Sequence, residues 1–326
     1  MNYRELGKTG LMISEIGLGC WTMGGLNWND GIPNGWANVD ENEIQAAVDF
    51  ALDHGVNHFD NSDVYGNGRA ERMLAKVLGK RTKDVIIATK VGWFRGTAAH
   101  AYDPLHIRHQ CEQSLKNLNR DYIDLYYFHH GNFGDNDIYL DGAVETIYRL
   151  KEEGKIRFIG QSAYSHDDFV KLIPKVKPDA IQSSASALDF KFVEDGTPTR
   201  QLLDKHNISF IAFGPLVQGI LLGKYSKDNP PVFEPGDHRA KAPRFSKENL
   251  EKLEPLLMKL KEKYGSDSKN LAGVALRFLL HFSAVGAVIP GFRSLDQVKV
   301  NLTAADFTFG DGDFEFVKNL FAPYRM

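Results

Sequence analysis

An α/β chain folded as one (β/α)8 TIM barrel is the fold class that this sequence predicts, and three observations predict it. Eight short apolar segments recur along the chain, helical patterns lie between them, and chemically active side chains stand at the ends of several segments. The segments are 16–20, 56–59, 85–89, 123–128, 156–161, 180–183, 208–213 and 285–289. Their near-continuous apolarity suits parallel strands buried on both faces. Alternation of strand and helix favours a closed barrel over an open sheet.

The elements follow in chain order. Residues 1–16 read as a β-hairpin, with Tyr3, Leu6, Leu11, Ile13 and Ile16 around the turn K-T-G and with Gly7 and Gly10 at the bends. This hairpin is expected to cover the bottom of the barrel. Helical spacing appears in Glu43–His54, Leu105–Leu118, Gly142–Glu153, Leu250–Tyr264 and Leu271–Phe282. Two stretches interrupt the rhythm. Residues 21–41 are rich in Gly, Asn and Trp, and residues 224–247 carry four prolines and several basic residues. Each follows a strand, so both are expected as long loops on the C-terminal face of the barrel. No repeat or linker divides residues 1–326, so a single domain is expected.

A net charge of −3 over 326 residues gives no basic face for nucleic acid. The start of the chain lacks the apolar core of a signal peptide, and no segment approaches the length of a membrane span. Cys20 and Cys111 are too few for a disulfide framework, so a reducing cytoplasm is the expected compartment. No metal ligand set is assigned. The partner expected is a small molecule, and no surface pattern specifies an oligomeric state.

Asp60 and Tyr65 follow V-N-H-F, Lys90 follows V-I-I-A-T, and His129 follows I-D-L-Y-Y-F. In a barrel, strand C-termini converge on one face. Each of the four has an ordinary structural explanation taken singly: an ion pair, packing, or a satisfied core histidine. Together they supply an acid, a phenol, an ammonium and an imidazole, the parts needed to protonate a carbonyl oxygen. A free phenol with pKa near 10 is a weak acid at neutral pH. A nearby cation lowers that pKa, so Lys90, held by Asp60, is expected to activate Tyr65 as proton donor.

The blocks H-F-D-N-S-D-V-Y-G-N-G at 58–68, A-T-K-V-G at 88–92 and D-L-Y-Y-F-H at 124–129 resemble the signature of the aldo-keto reductases. The resemblance runs from Gly7 to about Phe321. It is strongest to the bacterial branch related to potassium-channel beta subunits, through Gln297-x3-Asn301 and the short C-terminus. It implies that Asp60, Tyr65, Lys90 and His129 are catalytic, with His129 orienting the carbonyl or sharing its proton. His130 takes the place where the family often has Trp, and either lines the substrate pocket or is only solvated.

The sequence lacks G-x-G-x-x-G after its first strand. The resemblance instead implies an extended NADPH across the barrel top. Ser162 and Gln182 match the residues that bind the carboxamide, Phe213 matches the ring that stacks on nicotinamide, and Trp21 is expected beside the reacting carbon. Pro215, Leu216, Gln218 and Lys224 lie in the stretch resembling the pyrophosphate loop. Gly291, Arg293, Gln297 and Asn301 match the adenosine-end motif. Arg293 and Ser294 open a helix, and a helix N-terminus favours an anion, as does the fork of an Arg. NADPH is therefore preferred over NADH. The chain departs from the family at Ala163, where Asn is usual, at Val300, where Glu is common, and in the run S-S-A-S at 183–186, which lacks the usual Tyr.

Trp21, Trp28, Trp36, Trp93 and Phe94, with Asn27, Asn29, Asp30 and Asn34 nearby, are read either as stacking and hydrogen-bonding surface for a sugar or polyol, or as loop cores. For Trp36 the loop core is preferred. Trp93 is placed with Trp21 and His130 as a substrate contact. Arg95 and Arg239 are read as contacts to an acidic substrate or to cofactor phosphate. The leading function is NADPH-dependent reduction of an aldehyde or ketone. The alternatives are an NADP(H)-sensing module with weak turnover, or a Schiff-base lyase using Lys90.

Overall fold

A computed structural model describes residues 1–29 and 31–325. Eight parallel strands form one sheet in the order β3 (Leu18–Gly19), β6 (His58–Asp60), β7 (Ile86–Val91), β8 (Ile123–Phe128), β9 (Ile156–Ser162), β10 (Ala180–Ser184), β11 (Ser209–Phe213) and β12 (Val285–Ile289). The sheet closes on itself where Ile16 bridges Val288 and Gly19 bridges Gly291, both in parallel. All eight expected strands are present, and the barrel is the expected fold.

Helices return the chain from each strand end to the next strand start, and two more follow the last strand. In order they are α1 (Glu41–Asp53), α2 (Arg69–Leu78), α3 (Pro104–Leu118), α4 (Leu140–Glu152), α5 (His166–Val176), α6 (Pro198–His206), α7 (Lys247–Tyr264), α8 (Ser268–Leu280), α9 (Leu295–Leu302) and α10 (Asp311–Phe321). Their starts are written locally. Asp40, Asp103, Ser165, Ser246, Asp267 and Ser294 each accept a backbone N–H of the first turn, satisfying donors that the helix leaves free. Helices α2, α5, α6, α9 and α10 lie outside the five helical patterns of the sequence.

In the first long loop β4 (Trp28–Asn29) pairs with β5 (Ile32–Pro33), and the N-terminal hairpin pairs β1 (Tyr3–Glu5) with β2 (Met12–Ser14) in antiparallel register. Its Leu6 and Ile13 are fully buried among the barrel-interior residues Ala88, Leu125, Tyr127, Ala180, Ile211 and Ala287. The Arg4 guanidinium donates to the carbonyls of Val285 and Leu280, and Glu15 pairs with Arg4 and Arg277. The hairpin thus plugs the lower end, as expected, and leaves the strand C-termini as the open face.

Inside the barrel, the Tyr127 ring occupies the space over Gly160, the residue facing it on the neighbouring strand. A Cβ at Gly160 would overlap Tyr127 Cδ1 and Cε1. Overpacking a closed core of this kind costs roughly 1–3 kcal/mol. Gly160→Ala is therefore expected to lower stability by that amount in chemical denaturation, whereas Gly154→Ala, where a Cβ meets open space but φ is 72°, is strained only through its backbone. Equal unfolding midpoints for wild type and Gly160→Ala would refute the packing argument.

Candidate active site

Strand register assembles the site. Asp60 is the last residue of β6 and pairs with Ala88 on β7, while Lys90 on β7 pairs with Tyr127 on β8. His129 follows β8 directly, and its N–H donates to the carbonyl of Val91. Asp60 and Lys90 therefore lie within their strands' last positions rather than just beyond them. Tyr65 reaches the same point from the turn that starts α2. That turn is laced to β7 by the N–H groups of Asn61 and Asp63, which donate to Ala88 and Lys90.

The four expected catalytic residues come together. Lys90 is fully buried, and its Nζ donates to Asp60 Oδ1 at 2.5 Å and to the Asn61 carbonyl at 2.7 Å. Gln182 Nε2 donates to the other Asp60 oxygen at 2.8 Å. Lys90 Nζ lies 5.3 Å from the centre of the Tyr65 ring. The rings of Tyr65 and His129 meet edge to face at 6.0 Å, and Trp21 stacks against Tyr65 at 5.8 Å.

The electrostatics differ from the sequence expectation in one respect. Burial, with the Asp60 carboxylate next in weight, holds the Tyr65 phenol well above its ordinary value. Lys90 is spent on Asp60, so its charge does not lower the phenol among protein groups alone. Burial, then Lys90 and His130, push the His129 imidazole well below its ordinary value and keep it neutral. The site thus presents a protonated phenol and a neutral imidazole over a buried ion pair.

Tyr65 and His129 border a cleft of about 1160 Å³ on the open face. Trp21, Trp93, Gln182, Phe213, Pro215, Leu216, Gln218, Lys224, Gly291, Arg293, Gln297 and Asn301 also line it. Lys90 stands beneath, covered by its partners. Ser162 is buried beside Gln182 in the sheet register, does not line the cleft, and its Oγ has no hydrogen-bond partner. His130 does not line it either. Its Nε2 donates to the Gly92 carbonyl and its Nδ1 accepts the Asn132 N–H, while burial holds its pKa down to about 4. Its ring packs on Trp93 beside a smaller pocket. A one-residue step off β8 sends the side chain away from its neighbour, which is why His129 and His130 part.

The long loops meet over the cleft. Asp237 binds Arg239 through both oxygens and accepts the Ala37 N–H, and the His238 N–H donates to the Gly35 carbonyl. Arg239 is therefore buried and committed to Asp237 rather than free for an acidic ligand. Trp36 packs edge-on against Trp21 beneath Arg239, the loop-core position, though it also borders the cleft. Asn29 and Asn34 border the cleft, with Asn29 Nδ2 donating to the Trp93 carbonyl. Trp28, Phe94, Asn27 and Arg95 lie outside its lining, and Asp30 lies outside the described residues. Residues not singled out from sequence also line it, notably Tyr164, His238, Arg244 and Tyr324. They come from loops and the C-terminal tail, where no periodicity marks them.

The cleft suits an elongated anionic ligand. Val217, Gln218 and Gly219 have φ of 49°, 54° and 95° in succession. A positive φ at a β-branched residue is a strained state of the kind found at binding loops, and here the N–H groups of Val217 and Gly219 are taken by the carbonyls of Gly214 and Leu216. Gln218 Oε1 beside them is buried without a partner. Arg293 is half-buried with no carboxylate partner among the described residues, tied by Nη1 to the Ala37 carbonyl and by its N–H to Gln297 Oε1. These residues fit a dinucleotide that spans Gln182 at one end and Arg293 at the other.

Comparison with known proteins agrees with this geometry. Residues 15–321 match the model of the aldo/keto reductase family. The oxidoreductase YqkF of Bacillus subtilis is 30% identical over 94% of this chain and 92% of its own. A probable voltage-gated potassium channel subunit beta of Arabidopsis thaliana is 28% identical over 94% and 92%. The glycerol dehydrogenase AKR11B4 from Gluconobacter oxydans superposes with a TM-score of 0.80 and 26% identity, covering 99% of this chain and 96% of that one. With a family model spanning nearly the whole chain and a barrel whose strand ends gather Asp60, Tyr65, Lys90 and His129, the protein belongs to the aldo/keto reductase family of oxidoreductases.

Proposed function

We propose that the protein reduces an aldehyde or ketone with NADPH, with Tyr65 as the proton donor. The observation that carries this reading is the meeting of the Tyr65 and His129 rings at the floor of the cleft, above the buried Asp60–Lys90 pair. The nicotinamide cofactor, when bound, supplies the hydride, which no side chain can. The residues of the chain do the rest. Tyr65 keeps its proton because burial and Asp60 raise its pKa, so it stays a donor until negative charge develops on the carbonyl oxygen. An alkoxide is a stronger base than a phenolate, so the proton then moves from Tyr65 Oη to the substrate. The Lys90 ammonium, 5.3 Å from the ring centre, is placed to stabilise the phenolate left behind. His129 is neutral and orients the carbonyl.

Among the residues that line the cleft, Phe213 and Gln182 would hold the nicotinamide end, Gln218 and Lys224 the pyrophosphate, and Arg293 with Gln297 and Asn301 the adenosine end. A half-buried Arg without a carboxylate partner supports a 2′-phosphate and hence NADPH. Trp21, Trp93, Tyr164, Asn29 and Asn34 at the cleft mouth support a polyhydroxylated carbonyl compound or the corresponding alcohol, a class to which glycerol, named for the Gluconobacter relative, belongs. Lys90 is buried and doubly hydrogen-bonded, which argues against its attacking a substrate as an amine.

Tyr65→Phe is expected to cut carbonyl reduction by about 10²–10⁴-fold, the usual weight of a positioned acid, while NADPH binding measured by fluorescence titration stays near that of wild type. Full turnover in that variant would remove Tyr65 from its role. Wild type that binds NADPH but turns over no aldehyde, ketone or sugar in a panel would instead favour a sensing module. Arg293→Ala is expected to weaken NADPH about 10- to 100-fold, the weight of one or two charge-assisted hydrogen bonds, and to leave NADH unchanged. An equal loss for both cofactors would place Arg293 elsewhere than at a 2′-phosphate.

A further inference from the structure

Beneath His129 lies a buried polar chain that the four catalytic residues do not use. Ser62 is fully buried, with Oγ 3.0 Å from His129 Nδ1 and 3.1 Å from Asp63 Oδ1. Asp63 is 4% exposed, and its Oδ2 has no hydrogen-bond partner. No cation pairs with Asp63 among the described residues, since the nearby Lys90 ammonium is taken by Asp60 and the Asn61 carbonyl. A second buried carboxyl, Glu71, stands behind it, bonded to Thr89 and Asn117.

We infer that Ser62 and Asp63 are positioning residues that fix His129 in the tautomer carrying its proton on Nε2, so that His129 meets the substrate carbonyl oxygen as a hydrogen-bond donor. This inference rests on the carbonyl-reducing role proposed above. It follows from counting protons. Ser62 has one hydroxyl proton and two neighbours. If Asp63 were an ionised acceptor, Ser62 would donate to it and His129 Nδ1–H would donate to Ser62, leaving a bare lone pair on Nε2 facing the cleft.

The surroundings of Asp63 decide against that arrangement. An unpaired carboxylate in a dry site is costly, and it persists where two or three backbone N–H groups bond it. Asp63 has only Ser62 and the Val64 N–H, with Glu71 adding repulsion. Burial first, and Glu71 second, raise its pKa well above the carboxylate range. The neutral carboxyl must place its own proton, and Oδ2 faces no acceptor. The proton therefore sits on Oδ1 and is donated to Ser62 Oγ. Ser62 in turn donates to His129 Nδ1, and the ring proton remains on Nε2. No bond to carbon forms or breaks, and no proton is lost: the chain sets which nitrogen points a donor into the cleft. Nε2 has no other hydrogen-bond partner among the described residues.

The test is nitrogen NMR of the full-length chain labelled with ¹⁵N-histidine, with and without NADPH, the His129 signals being assigned by their loss in His129→Gln. Wild type is expected to show a protonated Nε2 and an unprotonated Nδ1. Ser62→Ala is expected to abolish that preference and to lower kcat for 4-nitrobenzaldehyde about tenfold, the weight of one neutral hydrogen bond, with NADPH affinity kept as the check on folding. Asp63→Asn, whose amide still donates to Ser62, is expected to retain the wild-type tautomer. A protonated Nδ1 in wild type, or a His129 spectrum unmoved by Ser62→Ala, would overturn the inference. The NMR readout needs no turnover, so its failure is distinct from failure of Tyr65 as donor, which the Tyr65→Phe kinetics decide.

Discussion

The buried ion pair between Lys90 and Asp60 is the constraint on which the site depends. Removing an ammonium and a carboxylate from water costs several kcal/mol per ion, and only close geometry with further hydrogen bonds offsets it. Here the offset comes from three strands. Lys90 belongs to β7, Asp60 to β6, and Gln182, which holds the second Asp60 oxygen, to β10. A slip of one residue in β7 would turn Lys90 to the other face of the sheet and bury an unpaired charge elsewhere. The pair therefore demands the same strand register that brings Tyr65 and His129 to the cleft. Tyr127 and Gly160 serve that register from below, by fitting a ring where a side chain is missing.

Because the two charges answer one another at 2.5 Å, their neighbours respond more to burial than to either charge alone. Burial favours neutral forms, so the phenol keeps its proton and the imidazole stays uncharged. Both can then face a neutral carbonyl without a free charge competing for it. In the proposed reaction the ammonium becomes important when the phenol gives up its proton, because only then does a new anion appear within its range. A pair that looks inert in the resting protein is thus placed to act on the charge that forms during reaction.

Much of this was legible in the sequence, for identifiable reasons. Strands buried on both faces must be apolar along their whole length, so segments such as I-I-A-T-K-V stand out. The four residues proposed as catalytic could be found because barrel topology converts strand ends into neighbours. Other features were not legible. Helix α2, R-A-E-R-M-L-A-K-V-L, offers a narrow apolar stripe among charges, and it starts after Gly68 with φ of 78° instead of a polar N-cap. The sequence reads His130 as lining the substrate pocket or as solvated, yet it is buried and its ring nitrogens are absorbed by Gly92 and Asn132. A pairwise view leads to lowering of the Tyr65 pKa by Lys90, and it fails because burial first, and the Asp60 carboxylate second, push the phenol the other way. Ser62 and Asp63 lie between Asp60 and Tyr65 with no role marked by the sequence. Their significance depends on a contact with His129, 67 residues away in sequence, that no local pattern encodes.

The loops over the cleft obey a different logic from the strand ends. The Asp237–Arg239 pair reaches the Ala37 N–H, 200 residues away in sequence, and the bridge between Gly35 and Asp237 joins the two long loops into one roof. Burial opposes ionisation of Asp237, but Arg239 and the Ala37 N–H hold its pKa down to about 2, so the carboxylate of this link is ionised at neutral pH. His238 rides on the roof and places its ring 4.6 Å from Trp21, directly above the residue that stacks on Tyr65. The roof thus bounds how far a ligand can extend above Tyr65. Substitutions in residues 21–41 or 224–247 can change which molecule fits while the ion pair and strand register below stay as they are. That separation is the physical reason the chemistry follows from the strand ends and the choice of substrate does not.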